Sequence, residues 1–117
     1  MPAALVTVVE TPEFIRRAEK LMTEGEREEL ISYLAANPTA GDLIPGTGGV
    51  RKVRWGLEGR GKRGSARIIH FFHNAKLPLF ILTAFAKNER ADLSQEDRNG
   101  FRGLTKLLVE TYRSRKS

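Results

Sequence analysis

The 117-residue chain contains no cysteine. That removes any disulfide framework and any thiolate metal site, and it accords with a reducing compartment. Histidine occurs only at positions 70 and 73. Three residues apart on one extended segment, the two rings point to opposite faces, so they make no ligand pair. No run of eighteen apolar residues is present, and no basic region followed by a long apolar stretch opens the chain. A membrane span and an export signal are therefore not expected, and the expected location is cytoplasmic. No Ser-His-Asp arrangement stands out. Gly46-Thr47-Gly48-Gly49 lacks the Lys-Ser/Thr ending of a nucleotide-binding loop and reads as a turn leading into a strand. No cofactor and no metal is expected.

What the chain does have is positive charge, and it is concentrated. The formal net charge is +6. Between Arg51 and Arg67 stand Arg51, Lys52, Arg54, Arg60, Lys62, Arg63 and Arg67, with Glu58 the one acid among them. Outside this window basic and acidic residues cancel. A focused field of this kind raises the local concentration of polyanions and points to a phosphate-rich partner.

The patterning suggests one domain over residues 1–117, with no repeat, linker or low-complexity tract. Leu5–Val9 is β-branched and reads as a strand. Thr11-Pro12 starts a helix whose apolar face is Phe14, Ile15, Ala18, Leu21 and Met22. Thr23-Glu24-Gly25-Glu26 is a capping box that starts a second helix, ended by Asn37-Pro38. Gly41 to Gly49, with four glycines and Pro45, is expected to be loop. Val50–Trp55, Ser65–His73 and Leu79–Ala86 read as three strands joined by short turns, an antiparallel meander with the last strand central. Ser94 caps a final helix with Asp97 in its first turn and Phe101, Leu104, Leu107, Leu108 and Tyr112 on its apolar face. The order β-α-α-β-β-β-α predicts an α+β domain: a small, mainly antiparallel sheet with helices packed on one face.

The chemistry-bearing residues lie on the paired strands. Lys52 and Arg54 are two apart and share a face of a regular strand, and the next strand brings Arg67 alongside. Arg60, Lys62 and Arg63 sit on the connecting turn, and Lys87 ends the following strand. Such a face binds RNA phosphates. It also suits metal-free RNA cleavage, in which the ribose 2′-hydroxyl attacks the adjacent phosphorus and negative charge gathers on phosphoryl oxygens. Guanidinium groups match that charge with a planar fork, and a lysine crowded by like charges can carry a proton. The spacing alone leaves both roles open, docking or catalysis. Trp55 at the strand edge suits packing, or stacking on a base. Glu89 and Asp92 suit salt bridges with Arg90, or helix capping.

Three stretches taken together resemble a known family. They are Gly41-Asp42-Leu43-Ile44-Pro45-Gly46-Thr47-Gly48-Gly49-Val50-Arg51-Lys52-Val53-Arg54, Gly61-Lys62-Arg63-Gly64-Ser65-Ala66-Arg67-Ile68-Ile69-His70-Phe71-Phe72, and Leu82-Thr83-Ala84-Phe85-Ala86-Lys87-Asn88-Glu89-Arg90-Ala91-Asp92-Leu93. The set resembles the RelE superfamily of toxin–antitoxin toxins, in its HigB-like branch. The resemblance implies an endoribonuclease that cuts messenger RNA in the A site of the small ribosomal subunit. It also implies a cognate antitoxin, and contact with operator DNA only through the antitoxin complex. By position Arg67 matches the family's arginine at the scissile phosphate, Lys52 and Arg54 its basic pair, and Lys87 a basic residue at the end of the last strand. Arg51, Arg60, Lys62 and Arg63 are expected to contact RNA. Asn88 stands where the RelE toxin has a further catalytic arginine, and Ser94 about where it has a functional tyrosine. The general base is thus unassigned, with Lys52 and Lys87 as candidates. Two other readings stay open: a gyrase-directed toxin of the related ParE type, and an RNA- or ribosome-binding module that does not cut. Charge complementarity predicts an antitoxin that covers the basic face with acidic residues or docks a helix beside it.

Overall fold

A computed structural model describes residues 5–57, 64–90 and 92–114. Strand β1 (Val8–Glu10) leads into helix α1 (Pro12–Leu21), and helix α2 (Glu24–Ala36) follows directly. Both helix starts are closed by threonine. The Thr11 hydroxyl accepts from the Phe14 amide at 3.3 Å and lies 2.8 Å from the Ile81 carbonyl, tying the cap to the sheet. Thr23 and Glu26 form the reciprocal capping box, with bonds of 3.1 and 2.8 Å, so two otherwise orphaned amides are satisfied.

The sheet then runs β2 (Asp42–Leu43), β3 (Val50–Leu57), β4 (Gly64–Phe71) and β5 (Leu79–Ala86), and helix α3 (Gln95–Ser114) ends the described chain. The spatial order is β1-β5-β4-β3-β2. The meander β3-β4-β5 is antiparallel, and β1 joins β5 in parallel. This is the expected α+β class, with β5 inside the sheet, where its apolar sequence is covered on both faces.

Four details depart from the sequence reading. The Gly41–Gly49 stretch holds the short strand β2, paired to Lys52 and Arg51. Gly41 permits this: at a φ of 90° it lies where a methyl group would strike the Lys52 carbonyl. β1 is confined to Val8–Glu10, and Leu5 is exposed. β4 stops at Phe71, short of His73. The helices do not share one face. α1 and α2 cover a core of Phe14, Leu30, Leu34, Val53, Ile68 and Ile81, while α3 lies over the opposite side on Ile44, Val50, Ile69, Phe71, Phe80 and Leu82. The reason is the sheet itself: apolar residues occupy both sides of β4 and β5, and leaving either side bare would expose side chains worth about 1.5–3 kcal/mol each on burial.

A bulge in β5 interrupts its pairing with β4. His70 pairs with Ile81 and Ile69 with Thr83, so Leu82 is an extra residue. The insertion resets the alternation and places Phe85 on the α3 side, opposite Arg67.

Candidate active site

Strand alternation sorts the basic residues of β3 and β4. Val50 packs under α3 and Val53 under α1 and α2, so Lys52 and Arg54 share the α3 side, whereas Arg51 turns to the other. On β4 the α3 side takes Arg67, Ile69 and Phe71. The register puts Arg54 directly opposite Arg67 and Lys52 opposite Ile69. Two like charges facing each other across paired strands are destabilising. An anion bound between them would remove that repulsion, so the pair has the geometry to seat a phosphate. Arg67 is half-buried and its guanidinium donates to the Ser65 hydroxyl at 2.9 Å, which limits its swing.

The connection from β5 to α3 folds over this face. Glu89 closes the turn after β5 by accepting from the Ala86 amide at 2.9 Å, and it meets Arg17 of α1 at 3.4 Å. Ser94 and Asp97 cap α3 reciprocally, at 3.0 and 3.1 Å. Between them, Asp92 accepts from the next amide, Leu93, at 2.8 Å. Its carboxylate then reaches Lys52 at 3.2 Å and Arg98 at 3.6 Å. The Leu93 amide, and after it Lys52 and Arg98, hold Asp92 below the usual carboxylate range against the opposing effect of burial. Arg90 sits 5.2 Å over the Phe85 ring and pairs with Asp97 at 2.8 Å. Asp97 is likewise held low, first by the Ser94 amide.

Arg67, Arg54 and Lys52 are thus brought together, with Arg90 and Arg98 added. Neither of the added arginines was singled out from the sequence, because their position depends on how the β5–α3 turn folds back. The Asp92 partners also differ from expectation, since Arg90 pairs with Asp97 instead. Lys87 follows β5, exposed, and its amide donates to the Ser65 carbonyl at 3.1 Å, at the same end of the sheet as Arg67. Arg51 is not part of the group: its guanidinium donates to the Gly41 carbonyl at 3.1 Å on the opposite side. Arg60, Lys62 and Arg63 lie outside the described residues. Trp55 packs beside the α1–α2 core, its ring 5.5 Å from that of Tyr33. Tyr112 meets Phe80 edge-on, far along the sheet from Arg67.

His70 is buried, on the side away from Arg54 and Arg67. Its Nε2 lies 2.9 Å from the Ala40 carbonyl, and its Nδ1 has no hydrogen-bond partner among the described residues. Burial pushes its proton affinity down. Among the described residues no group of three or more histidine or carboxylate side chains is placed to hold a metal ion, and no helix is long and apolar enough to cross a membrane. The arrangement can grip a phosphodiester from two or three directions and offset charge that develops on its oxygens. A family model described as the RelE toxin of the RelE / RelB toxin-antitoxin system matches residues 8–115.

Proposed function

The chain belongs to the RelE toxin family, and from that premise we propose that it is a metal-independent endoribonuclease that cuts messenger RNA in the ribosomal A site. The 2′-hydroxyl of the nucleotide before the cut attacks the phosphorus. Its proton passes to a base, the bond from phosphorus to the 5′ oxygen breaks, and that oxygen takes up a proton. Arg67 and Arg54 bind the non-bridging oxygens and gain most when those oxygens are most negative. Lys52, released from Asp92 when a phosphate enters, and Lys87 at the strand end are the groups available for proton transfer. Family membership brings with it a cognate antitoxin as partner, and we assign to it the covering of this face. Operator DNA is reached only through that complex, and the site of action is the cytoplasm.

The single observation that supports the reading best is the Arg54–Arg67 pair, opposed across two strands with Lys52 beside it. A protein that bound gyrase would have no use for a converging phosphate seat. The test is mapping of messenger ends in a translating extract, with and without ribosomes, for the native protein and Arg67→Ala. Ribosome-dependent cuts that vanish in the variant support the proposal. Growth arrest without cuts by the native protein overturns it in favour of a gyrase-directed toxin or a ribosome binder.

A further inference from the structure

Beyond the phosphate seat, a second cationic feature is built from parts of the chain whose summed charge is neutral. Arg98, Arg102, Lys106 and Arg113 lie on α3. At 3.6 residues per turn they fall within about 80° of one another, a single flank of the helix. The flank begins at the seat, because Arg98 and Lys52 share the Asp92 carboxylate. It continues past Gly48, where Arg102 and Lys106 line a hollow of about 360 Å³ with His73 and Arg113. A second hollow of about 360 Å³ adjoins it, again bordered by His73 and Arg113 and closed by Lys76 on the turn after β4. From Arg98 to Arg113 the track is about 22 Å long at 1.5 Å per residue.

Apart from Arg98, which Asp92 holds, these cations are not absorbed by the fold. Among the described residues, Lys76, Lys106 and Arg113 are in no ion pair, and Arg102 bonds the neutral Asn99 side chain at 2.9 Å. Among the described residues that line the two hollows, Glu110 is the one carboxylate. The backbone beneath is fixed, since the buried Thr105 hydroxyl donates to the Thr47 carbonyl at 3.1 Å. A row of uncompensated cations along a fixed groove, continuous with a phosphate seat, matches a polyanionic strand.

We propose that this flank of α3 is a second RNA-binding surface, which holds phosphates of the same messenger strand several nucleotides from the cut. The assignment of the strand rests on the proposed reading of the seat, through their continuity at Asp92. The track gives the toxin grip on a length of message and not on one linkage only. It does so without reading bases, because every contact is to the backbone.

The test is fluorescence anisotropy with 2′-O-methyl RNA, which cannot cleave itself, using a probe of about fifteen nucleotides and one of four. The variant is Arg102→Gln with Lys106→Gln and Arg113→Gln. Lys76→Gln, off the helix, guards against misfolding, and Arg16→Gln with Lys20→Gln on α1 controls for loss of net charge. For the long probe the triple variant is expected to bind about tenfold more weakly, with the slope of log affinity against log salt reduced by about 2. Lys76→Gln shows a smaller loss of the same kind, and the short probe and the α1 control behave as native. Unchanged binding of the long probe overturns the proposal. So does equal loss on both probes, or an equal loss per charge removed in the α1 control. A triple variant that binds long RNA like the native protein yet no longer sediments with empty ribosomes overturns the messenger assignment in favour of ribosomal RNA. Absence of cutting by the native protein would instead strike the proposed activity, and the binding measurements are independent of it.

Discussion

Arg54 and Arg67 oppose each other on one side of the sheet, and the cost of that repulsion makes a residue-level distinction possible. A structural arginine lost to alanine destabilises; one side of a like-charge pair does not. Arg67→Ala is therefore expected to abolish cutting while its free energy of unfolding in urea stays within about 1 kcal/mol of native, on either side. Asp92 holds Lys52 and Arg98 in the free protein, and a phosphate entering the proposed seat would compete with it. Asp92→Asn keeps an acceptor for the Leu93 amide but removes the competing charge. RNA binding by anisotropy is expected to tighten severalfold; weaker binding would mean that Asp92 orients Lys52 for the phosphate instead. Because Asp92 is 43% exposed, its ion pairs add little to stability, well under about 1 kcal/mol. His70 supplies a pH dependence. Its folded-state value lies below the ordinary 6.5, so the unfolded chain binds the proton more readily. Stability is then full above about pH 6.5 and falls as the pH drops through that value, because protonation would place charge in a dry site beside Arg51 with Nδ1 unpartnered. Urea unfolding of native protein and His70→Gln between pH 7.5 and 5 checks this; the slope should be present in the first and absent in the second. The carboxylates Asp92 and Asp97 act in a separate window. Their folded-state values are lowered, so their contribution is lost only as the pH falls below about 3.8.

At the scale of elements, α3 is seated by the loop that precedes β3. Thr47 is buried, with its hydroxyl donating to the Ile44 carbonyl at 2.6 Å and accepting from the Val50 amide at 3.1 Å. That knot presents its own carbonyl to Thr105. Gly48 has a φ of 79°, and a methyl group on it would run into the Thr105 hydroxyl. Gly48→Ala is thus expected to cost about 1–3 kcal/mol by urea unfolding, through both backbone strain and loss of helix seating. An unchanged midpoint would show that α3 docks by its apolar contacts alone. The stretch around Gly48 has no phosphate-cradling ending; Gly48 serves helix packing.

For the whole molecule, the sheet separates two chemistries. One side is covered by α1 and α2 and carries Trp55 and His70 as packing groups; the other carries α3 beside the cationic cluster. A cognate antitoxin that neutralises the second side should bind less tightly as salt rises. Reversing the charge at Arg67 should weaken that complex at least about tenfold, whereas reversal at the exposed Arg16 of α1 should leave it near native. Calorimetric titration of the purified pair at two salt concentrations decides this. A salt-independent complex would mean that the antitoxin is held elsewhere, by apolar contact.

The sequence was legible where its signals are local. Thr11-Pro12 and the Thr23–Glu26 box set their helix starts through neighbouring amides, the β5 run declared its burial by composition, and the charge window of Arg51 to Arg67 contained the pair that faces itself across the strands. The two-residue spacing of Lys52 and Arg54 was sufficient to place them on one side. What lay beyond sequence reading was whatever depends on atoms distant in the chain. The extra residue at Leu82 brings Phe85 beside Arg67. The turn after β5 swings Arg90 and Asp92 over the basic face. Helix α3 crosses to the far side of the sheet and lines its arginines up with Lys52. Alternation and capping are rules of adjacent residues, so the sequence alone determines them. Convergence of charges is a sum over distances that only the tertiary structure defines.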